Sequence, residues 1–493
     1  MRRTSDARRL RKSLRQSSAS TSSGVDQVIE TEGSIKGDAE VTALETDRGS
    51  SMRRVLNAVP RAGRLRSQHG RAVAADALLM LFARAASQGA TFIMMVMVAR
   101  VLGASEFGLF SFAMTAALLI SEFPGTGLDM TAVHLASTRW VRERPIADLI
   151  LRVAGEAKLM VAVALATLGL ATADFVSTTL FGRPELATPL RVAFLAAPAM
   201  ALAQYGLAVL QTYQLFRRCS LVTLGAGLAK IVAALGIFVL GLFTLGAAMA
   251  SLLAGVYLGL VLSCVLVPGP VLKARGVRAS QARHIFAYGK WLVVATFLGS
   301  VANGLDIIAL TYLSSPDVVG LYSSGRTLAM AIPLVSSTVL AMLLPKASRI
   351  TDRRALIRYI ARAEALVAAL AAGVGGLILV APWLIELLFT QQYGAATGLF
   401  QVMALAYTVD LLAVPLWTLL LAKNRPDALA IMNVALLVIV VPAFMLAIPH
   451  LGAMGAALVF LAWKVLGGLA SAGWVFHIMP AGETRMLVND ERC

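Results

Sequence analysis

The sequence has few charged residues and few cysteines. Only 14% of its 493 residues are charged, against roughly a quarter in an ordinary soluble domain. Hydrophobic residues make up 58%, and the mean hydropathy is +0.76. This composition excludes a water-soluble enzyme of standard type. The three cysteines, Cys219, Cys264 and Cys493, are isolated and have no histidine at ligand spacing, so the sequence supports neither a disulfide framework nor a zinc site.

Catalytic and nucleotide-binding motifs are also missing. The sequence contains no Walker A motif, no H-E-x-x-H, no G-x-S-x-G and no dinucleotide fingerprint. We therefore expect a protein that is not an enzyme and that needs no cofactor. A net charge of +17 would suggest nucleic acid in a soluble chain. In a chain this apolar it first indicates loops held in the cytoplasm, so no nucleic-acid partner is expected.

Long apolar segments fill the chain from residue 77 onward. Their lengths of roughly 20 to 25 residues suit membrane-spanning helices. The sequence predicts an all-α polytopic membrane protein with twelve transmembrane helices. The predicted spans are 77–101, 107–133, 149–173, 187–213, 221–242, 245–267, 291–313, 317–344, 361–388, 396–421, 428–448 and 452–478.

Basic residues in the connections test this count independently, because positively charged loops stay on the cytoplasmic side. The connections after odd-numbered spans contain only Arg183. Those after even-numbered spans, counting Arg362 at the start of the ninth span, contain eighteen basic residues: Arg139, Arg142, Arg144, Arg217, Arg218, Lys273, Arg275, Arg278, Arg283, Lys290, Lys346, Arg349, Arg353, Arg354, Arg358, Arg362, Lys423 and Arg425. This asymmetry places both termini in the cytoplasm, and a span wrongly added or missed in mid-chain would destroy it.

Two short motifs recur at nearly the same offset. Residues 108–113 (GLFSFA) and 320–325 (GLYSSG) open the second and eighth spans, 212 residues apart. Residues 245–250 (LGAAMA) and 451–456 (LGAMGA) open the sixth and twelfth spans, 206 residues apart. The pattern predicts two pseudo-repeated six-helix halves around a central cavity.

The domain boundaries follow from composition and from this repeat. Residues 1–75 are predicted to form a disordered basic cytoplasmic tail, with a translation start at Met52 as an alternative. The other predicted segments are an N-terminal half at 76–268, a cytoplasmic linker at 269–290, a C-terminal half at 291–480 and a short cytoplasmic tail at 481–493.

Charged side chains inside the spans are the main functional signal, because each costs roughly 2.5 to 3.5 kcal/mol at the bilayer centre on insertion scales. These residues are Arg84, Glu122, Asp129, Lys230, Asp306, Arg326 and Asp410. The polar residues that accompany them include Gln88, Gln204, Gln211 and Asn303. Polar stripes on several helices favour a hydrated cavity. The alternative is that some of these residues form interhelical ion pairs, Asp306 with Arg326 for example.

Two further features of the spans allow simpler explanations. Snorkelling to the membrane surface would explain charges nearer the span ends, which are Glu156, Lys158, Glu364 and Lys464. Helix breakers at Pro124, Gly125 and Gly127 interrupt the second span between its two acidic residues. Such breaks often border substrate sites or hinges in transporters, although proline is common in membrane helices generally.

At the level of motifs the chain resembles a known family. Residues 99–113, which read ARVLGASEFGLFSFA, and the following Gly127 and Leu128 resemble the first two helices of bacterial polysaccharide flippases of the Wzx type. These flippases belong to the multidrug/oligosaccharidyl-lipid/polysaccharide exporter superfamily. Positions that resemble the family's later helices are Asp306, residues 319–323, Arg326, Leu328, Pro345, Tyr393, Gly394 and residues 422–425. His134 departs from the pattern, since many relatives carry an arginine there.

The resemblance implies a carrier that moves an undecaprenyl-diphosphate-linked oligosaccharide from the cytoplasmic to the periplasmic leaflet of the bacterial inner membrane. Its product would serve lipopolysaccharide O-antigen or exopolysaccharide synthesis, with a polysaccharide polymerase and chain-length machinery as implied partners. Because guanidinium groups suit a diphosphate, Arg84 and Arg326 are the candidate diphosphate ligands and Lys230 is a weaker one. Candidates for binding a coupling proton or sodium ion are Glu122, Asp129, Asp306 and Asp410.

Three other functions stay open at this point. A multidrug or cation antiporter of the same superfamily would be expected to have an acidic cavity. A lipid II flippase would usually carry two more helices. A non-transporting membrane scaffold would use the basic tail to bind anionic lipid or a partner, although costly charges on several spans argue against it.

Overall fold

The computed structural model describes residues 40–478, except residues 124, 141, 277, 348–352 and 423–425. All regular secondary structure in this part of the chain is helical. The α-helices are α1 (Glu40–Glu122), α2 (Thr126–Arg139), α3 (Arg144–Phe175), α4 (Ala187–Thr212), α5 (Phe216–Val239), α6 (Leu245–Leu266), α7 (Gly269–Lys273), α8 (Arg278–Leu313), α9 (Pro316–Ala329), α10 (Ala331–Ala347), α11 (Arg353–Leu379), α12 (Ala381–Phe389), α13 (Ala396–Ala422) and α14 (Pro426–Ile478). A π-helical turn (Val176–Leu180) and two 3₁₀ turns (Pro184–Leu186 and Gln391–Tyr393) complete the set.

Two of these helices contain a sharp interruption at a glycine. Backbone angles leave the helical region at Gly103 in α1 (φ 83°, ψ 179°) and at Gly452 in α14 (φ 56°, ψ −135°). Positive φ is accessible to glycine because it has no Cβ atom. Gly103 falls between the first and second predicted spans and Gly452 at the first residue of the twelfth, so α1 and α14 are each two helices that meet at a turn.

Ten helical segments of the described chain are long and apolar enough to cross a membrane. Two of them, Leu78–Arg139 and Ile431–Val475, have 62 and 45 residues, whereas one crossing needs about 20. Large apolar side chains also line the outside of the helices, for example Phe175, Val265 and Leu446 at 67%, 73% and 69% exposure. The protein is therefore an all-α, multi-pass membrane protein, while the exact count of twelve spans stays a prediction.

The predicted tails fall largely outside this description. Residues 1–39 and 479–493 lie outside the described residues, and both tail predictions remain predictions there. From Glu40 the backbone is helical, where composition predicts a disordered segment up to residue 75. Alanine, leucine and arginine are frequent in that stretch and favour helix through local hydrogen bonds alone.

Packing divides the spans into two groups. In the first half, α4 packs against α3 and α6, and α5 pairs with α6. In the second half, α13 is central and contacts α9, α10, α11 and α14. The halves meet where α8 packs against α2 and α3.

Candidate functional site

The second half contains a buried ion pair between α8 and α9. Arg326 donates from Nη1 to Asp306 Oδ1 at 2.8 Å and from Nη2 to the Asn303 carbonyl at 2.5 Å. The Tyr322 hydroxyl donates to Asp306 Oδ2 at 2.8 Å, and the backbone N–H of Ile307 donates to Oδ1 at 2.9 Å. Asp306 is 1% exposed and Arg326 is 8% exposed. We call Asp306, Tyr322 and Arg326 the closed cation site, because its positive charge already has a carboxylate.

This geometry agrees with the alternative left open by the sequence, an ion pair that joins two helices. It brings Arg326 together with the Asp306 carboxylate and with the backbone carbonyl of Asn303. The Asn303 side chain is exposed and donates to the Gly299 carbonyl at 2.9 Å. A diphosphate role for Arg326 stays a prediction, and it would require Arg326 to leave Asp306.

A second buried ion pair lies in the first half, between α2 and α3. Lys158 Nζ lies 2.7 Å from both carboxylate oxygens of Asp129, and the two side chains are 1% and 8% exposed. The Tyr205 ring centroid is 5.8 Å from the same ammonium. The explanation of Lys158 by snorkelling is wrong, because its ammonium points into the helix bundle and not toward the membrane surface.

A third pair joins α13 and α14. Lys464 Nζ donates to Asp410 Oδ1 at 3.2 Å, with side-chain exposures of 12% and 30%. The ring centroids of Tyr407, Phe460 and Trp463 lie 5.9, 5.6 and 4.6 Å from the ammonium. Snorkelling is therefore wrong for Lys464 as well. Lys158 and Lys464 both lie in the middle third of their predicted spans, and this position was the signal that could have identified them.

Two cations of the first half have a different environment. Arg84 and Gln88 are exposed and lie one turn apart on α1. Lys230 of α5 donates to the Thr91 hydroxyl at 2.8 Å. Among the described residues, neither Arg84 nor Lys230 has a carboxylate partner. We call Arg84, Gln88, Thr91 and Lys230 the open cation site.

A glycine on α6 makes room for Lys230 in this site. A Cβ atom on Gly255 would lie 2.0 Å from Lys230 Cγ, and one on Gly259 would lie 3.0 Å from the Ala226 side chain. The close approach of α5 and α6 lets the lysine stem run along α6 toward α1. Sequence reasoning named Lys230 but not this glycine, because the contact depends on which faces of the two helices meet.

The remaining predicted polar residues make local contacts or none that the structure shows. Glu122, at the end of α1, accepts a hydrogen bond from the Thr126 hydroxyl at the start of α2. This bond crosses the predicted helix break, where Gly125 has φ 86°. Gln204 and Gln211 are partly buried on α4. No hydrogen bond or ion pair within the described residues joins Arg84 to Arg326.

The recurring motif lies at the contact between the two halves. A Cβ atom on Gly108 would lie 2.1 Å from the Pro316 carbonyl oxygen, and one on Gly320 would lie 1.9 Å from the Ala104 carbonyl oxygen. Gly320 is the repeat counterpart of Gly108, and Pro316 is the repeat counterpart of Ala104, each 212 residues further along the chain. The contact of Gly108 with Pro316 and the contact of Gly320 with Ala104 are therefore equivalent, with the two halves exchanged. Such reciprocity is what a pseudo-two-fold axis between the halves produces. Nearby, the Tyr393 hydroxyl donates to the Ala99 carbonyl at 3.0 Å.

A second contact between the halves lies at the end that carries the basic connections. The Gly127 N–H donates to the Thr296 hydroxyl at 3.2 Å, and a Cβ atom on Gly127 would lie 2.5 Å from Val293 Cα. A Cβ atom on Gly289 would lie 2.7 Å from the Thr131 hydroxyl oxygen. Glycines thus allow the halves to approach closely at both ends of the bundle.

The sequence of this chain matches a known protein family. A family described as polysaccharide biosynthesis protein matches residues 73–351. No curated protein matches the chain at a significant level.

Several solved structures share the fold at low sequence identity. The lipid II flippase MurJ in an inward closed conformation has a TM-score of 0.68 at 14% identity, over 81% of this chain and 87% of that one. A multidrug resistance MATE family transporter of the MOP superfamily, inward-facing, has a TM-score of 0.63 at 15% identity, over 80% and 94%. A MOP superfamily transporter from Pyrococcus furiosus has a TM-score of 0.60 at 15% identity, over 83% and 95%.

Proposed function

The chain belongs to the family of polysaccharide biosynthesis proteins within the MOP superfamily fold, and on that premise we propose that it is a flippase for a lipid-linked oligosaccharide. Its cargo is an undecaprenyl-diphosphate-linked repeat unit, which moves from the cytoplasmic to the periplasmic leaflet of the bacterial inner membrane. The product feeds lipopolysaccharide O-antigen or exopolysaccharide synthesis. Transport is by alternating access, with the two halves rocking about the glycine contacts near Gly108 and Gly127.

The open cation site is the observation that carries this proposal. A diphosphate inside a membrane needs positive charge that is not already neutralised by a carboxylate. Arg84 is exposed, and Lys230 is bonded to the hydroxyl of Thr91. Both can therefore turn toward an anionic head group without breaking an ion pair, while the lipid tail remains in the bilayer.

The acidic residues argue against an organic cation as cargo. Asp129 and Asp306 are each held by a buried cation at 2.7 and 2.8 Å. Attracting a drug cation to either residue would first require this pair to separate, which leaves an uncompensated buried charge. This makes a multidrug antiporter the weaker candidate. A lipid II flippase handles the same diphosphate chemistry, and the family match favours polysaccharide cargo over it.

Among the four acidic candidates, Asp410 is the best placed to bind a coupling ion. Its side chain is 30% exposed and makes one contact with Lys464 at 3.2 Å. Asp129 and Asp306 are almost fully enclosed, and both oxygens of each accept hydrogen bonds. A proton or sodium ion at Asp410 would release Lys464, and this pair joins the two helices α13 and α14.

The test of the cargo is lipid analysis of a strain that lacks the protein. We expect an undecaprenyl-diphosphate-linked oligosaccharide to accumulate on the cytoplasmic side while surface polysaccharide disappears. Mass spectrometry of the accumulated lipid would identify the sugar. Unchanged polysaccharide without accumulation would contradict the proposal and favour the multidrug exporter.

The same strain tests the open cation site. Arg84→Ala and Lys230→Ala should each lower polysaccharide export by about tenfold or more, which corresponds to about 1.4 kcal/mol of lost binding. Arg191→Ala is the matched control, because Arg191 is an exposed arginine paired with Asp174 at 2.6 Å. Normal export by both test variants at wild-type protein levels would rule out the site.

A further inference from the structure

A second arrangement that suits phosphate lies at the basic end of the first half, outside the predicted cavity. It involves Trp140 at the end of α2, Arg144 at the start of α3 and Tyr213 at the end of α4. All three lie at or just beyond the ends of membrane-crossing segments. Lipid head groups occupy this level of the bilayer, and tryptophan and tyrosine are enriched there.

The two aromatic rings form a corner that holds the arginine. The ring centroids of Trp140 and Tyr213 are 4.7 Å apart, and the ring planes are perpendicular at 90°. The Arg144 guanidinium carbon lies 3.9 Å from the Trp140 centroid and 5.0 Å from the Tyr213 centroid. The guanidinium therefore lies over the Trp140 ring and beside the Tyr213 ring.

Tyr213 is hydrogen-bonded to a buried carboxylate of α3. Asp148 is 6% exposed and accepts a hydrogen bond from the Tyr213 hydroxyl. Burial, together with this bond to Asp148, raises the pKa of the Tyr213 hydroxyl well above its ordinary value. Tyr213 thus remains a neutral donor, and its ring stays fixed beneath the arginine.

Arg144 itself is exposed and has no carboxylate partner among the described residues. Its neighbour Glu143 is exposed and forms no ion pair with it in that part of the chain. Arginine can stack on an aromatic face while its edge N–H groups bind a phosphate in a bidentate manner. Because stacking has already restricted the side chain, less freedom is lost on binding.

We propose that Arg144, held by Trp140 and Tyr213, binds the phosphate of a lipid head group at the basic end of the bundle. This site is separate from the open cation site and does not depend on the proposed transport function. The phosphate belongs either to an anionic phospholipid of the bilayer or to a polyprenyl diphosphate.

The experiment is native mass spectrometry of the purified full-length protein with added lipid. The probes are phosphatidylglycerol, diacylglycerol with the same acyl chains, and farnesyl diphosphate. We expect phosphatidylglycerol to be retained in preference to diacylglycerol. Arg144→Ala should weaken this retention by clearly more than about fivefold, the effect of one basic residue near a membrane surface, because the bidentate phosphate contact is lost as well.

Matched variants separate this site from general surface charge. Arg142→Ala removes an exposed arginine from the same connection and should weaken retention by no more than about fivefold, the effect of its charge alone near a membrane surface. Arg144→Lys keeps the charge but loses the planar fork, so it should also weaken retention. Equal effects of Arg144→Ala and Arg142→Ala would overturn the proposal, as would full retention by Arg144→Ala.

The two phosphate sources are distinguished in an Arg84→Ala/Lys230→Ala background, which lacks the open cation site. Arg144-dependent binding of farnesyl diphosphate in that background identifies the polyprenyl diphosphate as a ligand. Arg144-dependent binding of phosphatidylglycerol alone identifies the bilayer as the source. Absence of Arg144-dependent binding of either probe contradicts the inference, whatever the lipid analysis of the deletion strain shows.

Discussion

Two sites of the protein, one in each half, hold their cations under different conditions. In the closed cation site, Arg326 faces a carboxylate at 2.8 Å and is 8% exposed. In the open cation site, Lys230 is bonded to a hydroxyl and Arg84 is exposed. The same chemical groups therefore serve two purposes. A cation with a buried counter-charge joins helices, whereas a cation without a buried counter-charge is available to bind an anionic ligand.

This difference predicts which substitutions affect stability and which affect transport. Removing one partner of a buried ion pair leaves a charge without compensation. Removing an exposed cation leaves no such charge behind, and most of its effect should appear in ligand binding. Substitutions in the closed cation site should therefore lower stability more than those in the open cation site. Substitutions in the open cation site should lower export more at wild-type stability.

The largest expected effect is that of Arg326→Ala on stability. It leaves Asp306 buried without its cation and should lower the free energy of unfolding by about 3–5 kcal/mol. Arg84→Ala should change it by less than about 0.5 kcal/mol, as surface substitutions usually do. Denaturant unfolding of the purified variants measures both values.

A double variant checks the cause. Asp306→Ala combined with Arg326→Ala removes both charges and should recover part of the loss. If Arg326→Ala unfolds like the wild type, the closed cation site is not a structural ion pair, and Arg326 returns as a diphosphate ligand.

The next effect concerns the glycine contact between the halves. Gly320→Ala places a methyl group where the Ala104 carbonyl oxygen lies 1.9 Å away. The neighbouring atom is backbone, so the halves must separate at that end, at about 1–3 kcal/mol. Spin labels are attached at Glu185 in the first half and at Gln391 in the second half, in a variant without the three cysteines. Electron paramagnetic resonance should then measure a longer distance between the labels in Gly320→Ala than in its parent.

Gly373→Ala is the control for this contact, because a Cβ atom on Gly373 in α11 meets nothing within 4 Å. It should leave the distance between the labels unchanged. A Gly320→Ala variant with the wild-type distance would show that the contact relaxes locally and does not move the halves.

The glycine contact also shows how far sequence reasoning reaches. The motif repeat at 108–113 and 320–325 predicts two related halves, and the structure confirms an all-helical membrane fold with these segments in contact. The sequence predicts the helix break at Gly125 and other breaks at turns, because glycine and proline act on the local backbone. The sequence does not predict the contact between Gly108 and Pro316, because contacts between the two halves depend on how whole helices pack.

Charged residues show the same limit. Residue type and span position identify Asp129, Asp306 and Asp410 as buried or cavity-lining, since lipid exposure is too costly. Their partners depend on the rotation of neighbouring helices. For that reason the sequence assigns Lys158 and Lys464 to the membrane surface. Their positions in mid-span also allow the correct interpretation, which is an ion pair inside the helix bundle.

A smaller effect is expected at Asp410. If it binds sodium, the purified protein should gain about 1.4 kcal/mol of stability at a sodium concentration ten times the Kd. Asp410→Asn should abolish this gain, and Glu122→Gln should preserve it. Thermal unfolding in sodium and in potassium salts measures the difference. A sodium-dependent gain that survives Asp410→Asn would place the ion elsewhere.

The smallest effect is expected at an exposed pair with nearly the same geometry as the closed cation site. Arg191 and Asp174 are 2.6 Å apart, with side-chain exposures of 49% and 62%. Water screens this pair, so Arg191→Ala should change the free energy of unfolding by about 0–1 kcal/mol. Arg326 and Asp306 are 2.8 Å apart, with side-chain exposures of 10% and 2%. Both pairs join arginine to aspartate, so unequal losses in the same unfolding experiment would isolate burial as the cause, and equal losses would show that distance alone decides.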